Sequence, residues 1–269
     1  MLHMDINKFY ANENEKPLDN LIDDGGFCSI FRTIGCIGDS LSSGEFEVFD
    51  ENKKRYCYDC FEYSWGQYIA RACGSKVYNF SKGGMSASWY CRSFAEEMDF
   101  WNPDKRCQAY IIALGVNDIS FILNGKTEFG SFDDIDFNDY HNNKDTFIGN
   151  YAKIIQRYKE INENAKFFIM TMPREDDFTT ERQEVSDKVI DALRTLAEKF
   201  DGTYLIDLNK YAPVYDKKFK QTFYLTGHMN PMGYVFTAKM VMSYIDYIIR
   251  HNMKDFIHVW KADDLVSIL

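Results

Sequence analysis

Three short apolar runs in the first half of the chain each end at a glycine turn, and helical periodicity separates them. The runs cover residues 33–37, 76–80 and 109–114, and they stop at Gly38, Gly83-Gly84 and Gly115. Largely apolar and bounded by glycine, such runs suit strands buried on both faces. Two further strands are expected over residues 167–172 and 204–208, with helices over 64–73, 87–100, 146–161, 182–200 and 231–250 and loops over 43–62 and 209–230. Gly74 stops the first helix, Asn102-Pro103 ends the second, and Pro231 opens the last, where its missing donor is not needed. Strands alternating with helices predict a parallel sheet with helices on both faces, a three-layer α/β/α fold around five strands. Open sheets of this kind keep their chemistry at the carboxyl ends of the strands, so the three glycine turns point to one edge.

The first of these turns is Gly38-Asp39-Ser40, which delivers Ser40 to that edge as the candidate nucleophile. Glycine lets the backbone turn sharply beside a reacting group, and amides just past a strand can point at an anion. Ile37-Gly38-Asp39-Ser40-Leu41-Ser42 resembles the first block of the SGNH (GDSL) hydrolase superfamily. Asn79 to Ser86 resembles the second block, Leu114-Gly115-Val116-Asn117-Asp118 the third, and Gly227-His228-Met229-Asn230-Pro231 the block that supplies histidine. The four stand in family order and span most of the chain. The resemblance implies a flavodoxin-like strand order, Ser40 as nucleophile and His228 as base. It also implies an oxyanion hole from the Ser40 and Gly84 amides and the Asn117 side chain. Asp39 and Asp118 read as structural, holding their loops by local hydrogen bonds.

One position departs from the pattern. The family carries Asp three residues before its histidine, where this chain has Leu225. Two replacements stay open: the backbone carbonyl of Thr226 could orient the imidazole, or an acid could arrive from another loop. For the second, Asp176 and Asp177 are preferred over Asp207 and Asp216. Among the five histidines, His3 is terminal, His141 falls in a polar insertion, and His251 and His258 lie beyond the main face of the last helix. Only His228 is placed to return to the sheet edge.

A single domain is expected over residues 1–269, because no Pro/Gly/Ser-rich linker interrupts the chain. Residues 1–32 should pack on it as an extension. Residues 119–145 should form an insertion loop beginning beside the site, and its acidic run Asp133-Asp134-Ile135-Asp136 reads as solvated. A net charge of −10 without a basic patch argues against nucleic acid, whose binding rests on cations that neutralise phosphates. No apolar run approaches the ~18 residues of a membrane span, and Met1 to Tyr10 lacks the pattern of a secretory leader. Seven cysteines without a scaffold spacing fit a reducing, cytoplasmic setting. Cys57-Tyr58-Asp59-Cys60 reads as reduced thiols in a surface loop, since nothing completes the four ligands of a structural zinc site. Neither metal nor organic cofactor is required.

Taken together, the residues and the resemblance imply a serine esterase working through an acyl-serine. Short acyl groups such as acetyl are expected, with a small-molecule or oligosaccharide ester as substrate. Trp65, Trp89 and Tyr90 could stack on sugar rings or simply fill the core. Lipase, thioesterase or lysophospholipase activity is the enzymatic alternative, acyl transfer to an alcohol is another, and a ligand-binding member without catalysis is the third. Oligomeric state is not written in these residues.

Overall fold

In the computed structural model of the protein, residues 6–257 are described. Among them, seven strands run in order β1 (Thr33–Gly38), β2 (Glu45–Phe49), β3 (Arg55–Asp59), β4 (Lys76–Ser81), β5 (Ala109–Ala113), β6 (Lys166–Met170) and β7 (Thr203–Ile206). Five of them form one parallel sheet in the order β4-β1-β5-β6-β7, which is the flavodoxin-like arrangement. The strand order reverses at β1, so β4 and β5 flank it and their carboxyl ends open a crevice around its end. His3 and His258 lie outside the described residues.

Because side chains alternate along a strand, each strand of this sheet feeds two cores. Tyr110 and Ile112 join Phe80, Phe167 and Ile169 on one face, beneath the helices Phe147–Ile161 and Thr180–Lys199. Ala109 and Ile111 join Ile34, Cys36, Phe168 and Ile206 on the other, beneath Trp65–Cys73 and Pro231–His251. The aromatic packing is dense: the Tyr110 and Tyr158 rings lie 4.3 Å apart and the Tyr110 and Phe167 rings 5.3 Å. Residues before β1 lie along the last helix, where Ser243 Oγ accepts the Ile22 N–H at 2.9 Å and Asp246 accepts that of Phe27 at 2.8 Å.

Four stretches differ from the expectation. Residues 43–62, expected as loop, contain the antiparallel hairpin β2–β3, which pairs with itself and not with the main sheet. The helix expected over 87–100 is a helical stretch ending at Glu97, with a wide π turn at Tyr90–Phe94. The loop expected over 209–230 contains the helix Lys217–Phe223. The insertion starts inside the helix Val116–Leu123 and then leaves the Ser40 edge, because Phe137 packs on Phe200 just ahead of β7, at the opposite end of the sheet. Its acidic run is not uniformly solvated: Asp134 is buried and accepts from the Ser131 N–H, the Thr146 hydroxyl and Lys144.

Gly35 in the middle of β1 lets the two aromatic rows close over the strand. A Cβ there would lie 2.7 Å from the Tyr110 ring and 3.0 Å from that of Phe80. Overpacking a filled core costs about 1–3 kcal/mol. Gly35→Ala is therefore expected to lower the urea midpoint by a corresponding amount at unchanged m value, and a midpoint equal to the parent's would contradict this packing.

Candidate functional site

The turn after β1 places Ser40 at the start of a one-turn helix, Ser40–Ser43, capped by Asp39, whose carboxylate accepts the Leu41 N–H at 3.0 Å. As the first helical residue, Ser40 has an N–H with no acceptor inside the helix. After β4 the chain turns through Gly84, whose φ of +76° is a left-handed conformation that favours glycine. After β5, Asn117 enters the first turn of Val116–Leu123 and gives its two amide hydrogens to Met85 O at 3.2 Å and Asp39 Oδ2 at 3.3 Å. Three strand ends thus meet through one asparagine side chain.

Two buried acids hold this junction. Asp118 accepts the Ala87 N–H at 2.9 Å, joining the turn after β5 to the turn after β4, while its other oxygen is buried with no hydrogen-bond partner. Burial pushes the Asp39 carboxyl up to about 6 and that of Asp118 to about 7, where the nearby Asp39 adds to the shift.

His228 comes to the same edge from the far end of the chain. It sits in a tight turn between Lys217–Phe223 and Pro231–His251, where its carbonyl accepts the Leu225 N–H at 2.8 Å and Tyr224 bridges Met229. Met229 lines one cavity with Asp39, Leu41 and Ser42. The imidazole is held by the hairpin that sequence periodicity did not reveal. Nδ1 lies 2.8 Å from Glu47 Oε1, and Glu47 Oε2 accepts the Gly227 N–H at 2.9 Å. Arg55, diagonal to Glu47 on β3, pairs with the same carboxylate. Burial pushes the Glu47 carboxyl up, but the Gly227 N–H, His228 and Arg55 outweigh it and hold the group below its usual range.

The strand period explains why two glutamates reach His228. Residues i and i+2 share a face, so Glu45 and Glu47 point together while Phe46 turns the other way onto Tyr234 and Tyr63. The Tyr234 hydroxyl donates to the Glu45 carbonyl at 2.8 Å and ties the strand down. Glu45 Oε1 then lies 3.3 Å from His228 Nε2, the nitrogen opposite the one Glu47 holds. Glu47 and Glu45 thus border the two ring nitrogens of His228 from one face of the same strand.

None of the three groups expected to orient the histidine holds Nδ1. Thr226 is exposed in the turn, Asp176 is exposed, and Asp177 pairs with Lys220 at 2.9 Å. Of the less preferred acids, Asp207 is paired with Arg194 and Asp216 caps Lys217–Phe223. Leu225, at the family's usual acid position, is 50% exposed. Glu47 was missed because a glutamate in a polar stretch reads as solvated. The available signal was the alternation Glu45-Phe46-Glu47-Val48 ahead of the turn at Asp50–Lys53. Of the aromatic candidates, Trp65 and Tyr90 are core residues, whereas Trp89 is 37% exposed beside Gly84.

A profile of the GDSL-like lipase/acylhydrolase family matches residues 36–236, which include all four blocks. Among solved structures, an acetyl xylan esterase is similar at 20% identity and a TM-score of 0.52, covering 79% of this chain and 99% of that one. A possible lipase from Chitinophaga pinensis gives 15% identity and a TM-score of 0.53 over 81% and 98%. An active-site mutant of a family two carbohydrate esterase from Clostridium thermocellum gives 13% and 0.54 over 83% and 64%. At these identities the likeness establishes the fold. No curated protein sequence matches the chain.

The buried acids make stability depend on pH. Asp118 ionises near 3.8 in an unfolded chain and near 7 in the folded one, so between these values the folded state binds more protons and loses stability as pH rises. Asp118→Asn, which keeps an oxygen to accept the Ala87 N–H, should flatten the decline in Tm between pH 4 and 7. An unchanged slope would mean that Asp118 ionises normally in the folded protein.

Proposed function

Given that the chain belongs to the GDSL-like lipase/acylhydrolase family, we propose that it is a serine esterase in which Ser40, His228 and Glu47 act together. The contact between Glu47 and His228 Nδ1 carries this reading, because it supplies the acid that Leu225 cannot. Glu47 fixes the tautomer that leaves Nε2 free to act as base and offsets the charge of the imidazolium that forms. Nε2 takes the Ser40 proton as Oγ bonds to the ester carbonyl carbon. The developing oxyanion meets the Ser40 and Gly84 N–H groups and the Asn117 amide, which releases one of its present acceptors. Collapse breaks the bond to the alcohol, which leaves with the proton held by His228. Water then repeats the sequence on the acyl-serine and frees the acid.

For the acyl half, short groups are favoured. The cavity bordering Asp39, Leu41 and Ser42 is walled largely by apolar side chains, among them Met170, Met172 and Met229, and holds about 70 Å³. That is about half the ~150 Å³ cavity that accepts benzene, room for an acyl group of a few carbons. For the alcohol half, the exposed Trp89 supports a carbohydrate, and the acetyl xylan esterase among the structural neighbours names the ester to try first.

The test is hydrolysis of 4-nitrophenyl acetate, then of the butyrate and longer homologues. Ser40→Ala and His228→Ala should lower kcat on the order of 10⁴-fold or more, and Glu47→Ala on the order of 10²- to 10⁴-fold. Asp177→Ala should leave it near the parent's. Turnover that survives Ser40→Ala would exclude the acyl-serine, a preference for long chains would exclude the short-acyl reading, and an inert parent would favour a binding role.

A further inference from the structure

We propose that Glu45 reads the alcohol half of the ester, selecting leaving groups that carry a free hydroxyl beside the ester oxygen, as partly acylated sugars and other polyols do. This rests on the serine esterase reading and adds to it a residue for substrate choice.

The argument starts from the nitrogen that Glu45 touches. His228 Nε2 must hand its proton to the departing alcohol, so whatever borders Nε2 also borders the leaving oxygen. Glu45 Oε1 is 3.3 Å from Nε2, and its side chain is only 12% exposed. The other oxygen faces the glycine turn: a Cβ on Gly83 would stand 2.3 Å from Glu45 Oε2. Glu45 therefore spans the gap between the base and the Gly83-Gly84 turn, where the alcohol has to pass. Trp89 adds an exposed ring beside Gly84 that a sugar face can cover.

While Nε2 serves Ser40 and then the leaving oxygen, it cannot also donate to Glu45 Oε1. A nearly buried carboxylate without a donor is costly, and an ionised carboxylate can only accept. On the neighbouring strand Cys57 offers only a thiol, a weak donor, whose pKa burial and then Glu45 push up. A hydroxyl vicinal to the ester restores a strong donor, whereas an alcohol without one leaves the carboxylate unpaired. Discrimination built on an unpaired buried group exceeds what added apolar contact achieves.

A matched pair of esters isolates this effect: cyclohexyl acetate and the monoacetate of trans-cyclohexane-1,2-diol, which differ by one vicinal hydroxyl. The parent should favour the diol monoacetate by about 10- to 100-fold in kcat/KM, the size of one hydrogen bond to a charged group. Glu45→Gln and Glu45→Ala should bring that ratio close to one, whatever either substitution does to the absolute rates. A ratio near one in the parent, or a ratio that survives both substitutions, would overturn the role of Glu45 while leaving the esterase intact. A parent that hydrolyses neither ester, nor 4-nitrophenyl acetate, would instead sink the esterase reading. As a further arm, preference for acetylcholine over its uncharged isostere 3,3-dimethylbutyl acetate, abolished in Glu45→Gln, would show that the carboxylate reads a cation and would overturn the polyol assignment.

Discussion

A carboxylate at Glu47 can stay buried and ionised only because three donors converge on it from two parts of the chain. Taking such a group out of water is costly, and removing one partner of a buried pair exposes that cost in full. Here the Gly227 N–H, the His228 ring and the Arg55 guanidinium all meet the two oxygens of one side chain. The arrangement binds the hairpin to the turn before the last helix, and those segments lie 180 residues apart in the chain. Without the hairpin, Gly227 and His228 would lose their acceptor. Without the turn, Glu47 would be left with Arg55, which is half-exposed.

The junction on the other side of Ser40 rests on a different balance. Asp39, Asn117 and Asp118 connect the ends of β1, β4 and β5 with a few directed bonds, and both acids are shifted upward because burial outweighs their donors. Glu47 has enough donors to remain charged, whereas Asp118 has one oxygen with none. Two kinds of buried carboxylate therefore stand at one sheet edge, distinguished by how many hydrogen bonds each receives.

Much of this fold was legible in the sequence because β1, β4 and β5 are largely apolar and lead into glycine turns, leaving little room for another period. β1, β4 and β5 and the long helices follow directly from that pattern, and the strand order came from the family resemblance. The hairpin was hidden for the opposite reason. Glu45, Glu47, Arg55 and Asp59 make its strands look polar, and what they face lies far along the chain. Ser40, Gly84, Asn117 and His228 could be named because each sits in a short motif. Glu47 lies in no such motif, and Leu225 at the family's usual acid position gave no pointer to the carboxylate that meets His228 Nδ1. Asp177 was a reasonable substitute by loop position, but Lys220 already holds it.

The hairpin has one more consequence, which concerns time and temperature rather than chemistry. It pairs with no strand of the main sheet and is held by the Glu47 contacts to Gly227 and His228, the Phe46 contacts, the Tyr234 hydroxyl and the ends near Gly44 and Cys60. A two-stranded ribbon is marginally stable by itself, and proteins open in units whose free energies range far below that of the whole. Ser40, Gly84 and Asn117 stand on the ends of strands sealed between two cores, while both glutamates that flank the histidine stand on a hairpin outside that sheet. Two thresholds are therefore expected: a lower one at which the hairpin lifts and the histidine loses its alignment, and a higher one at which the sheet itself comes apart.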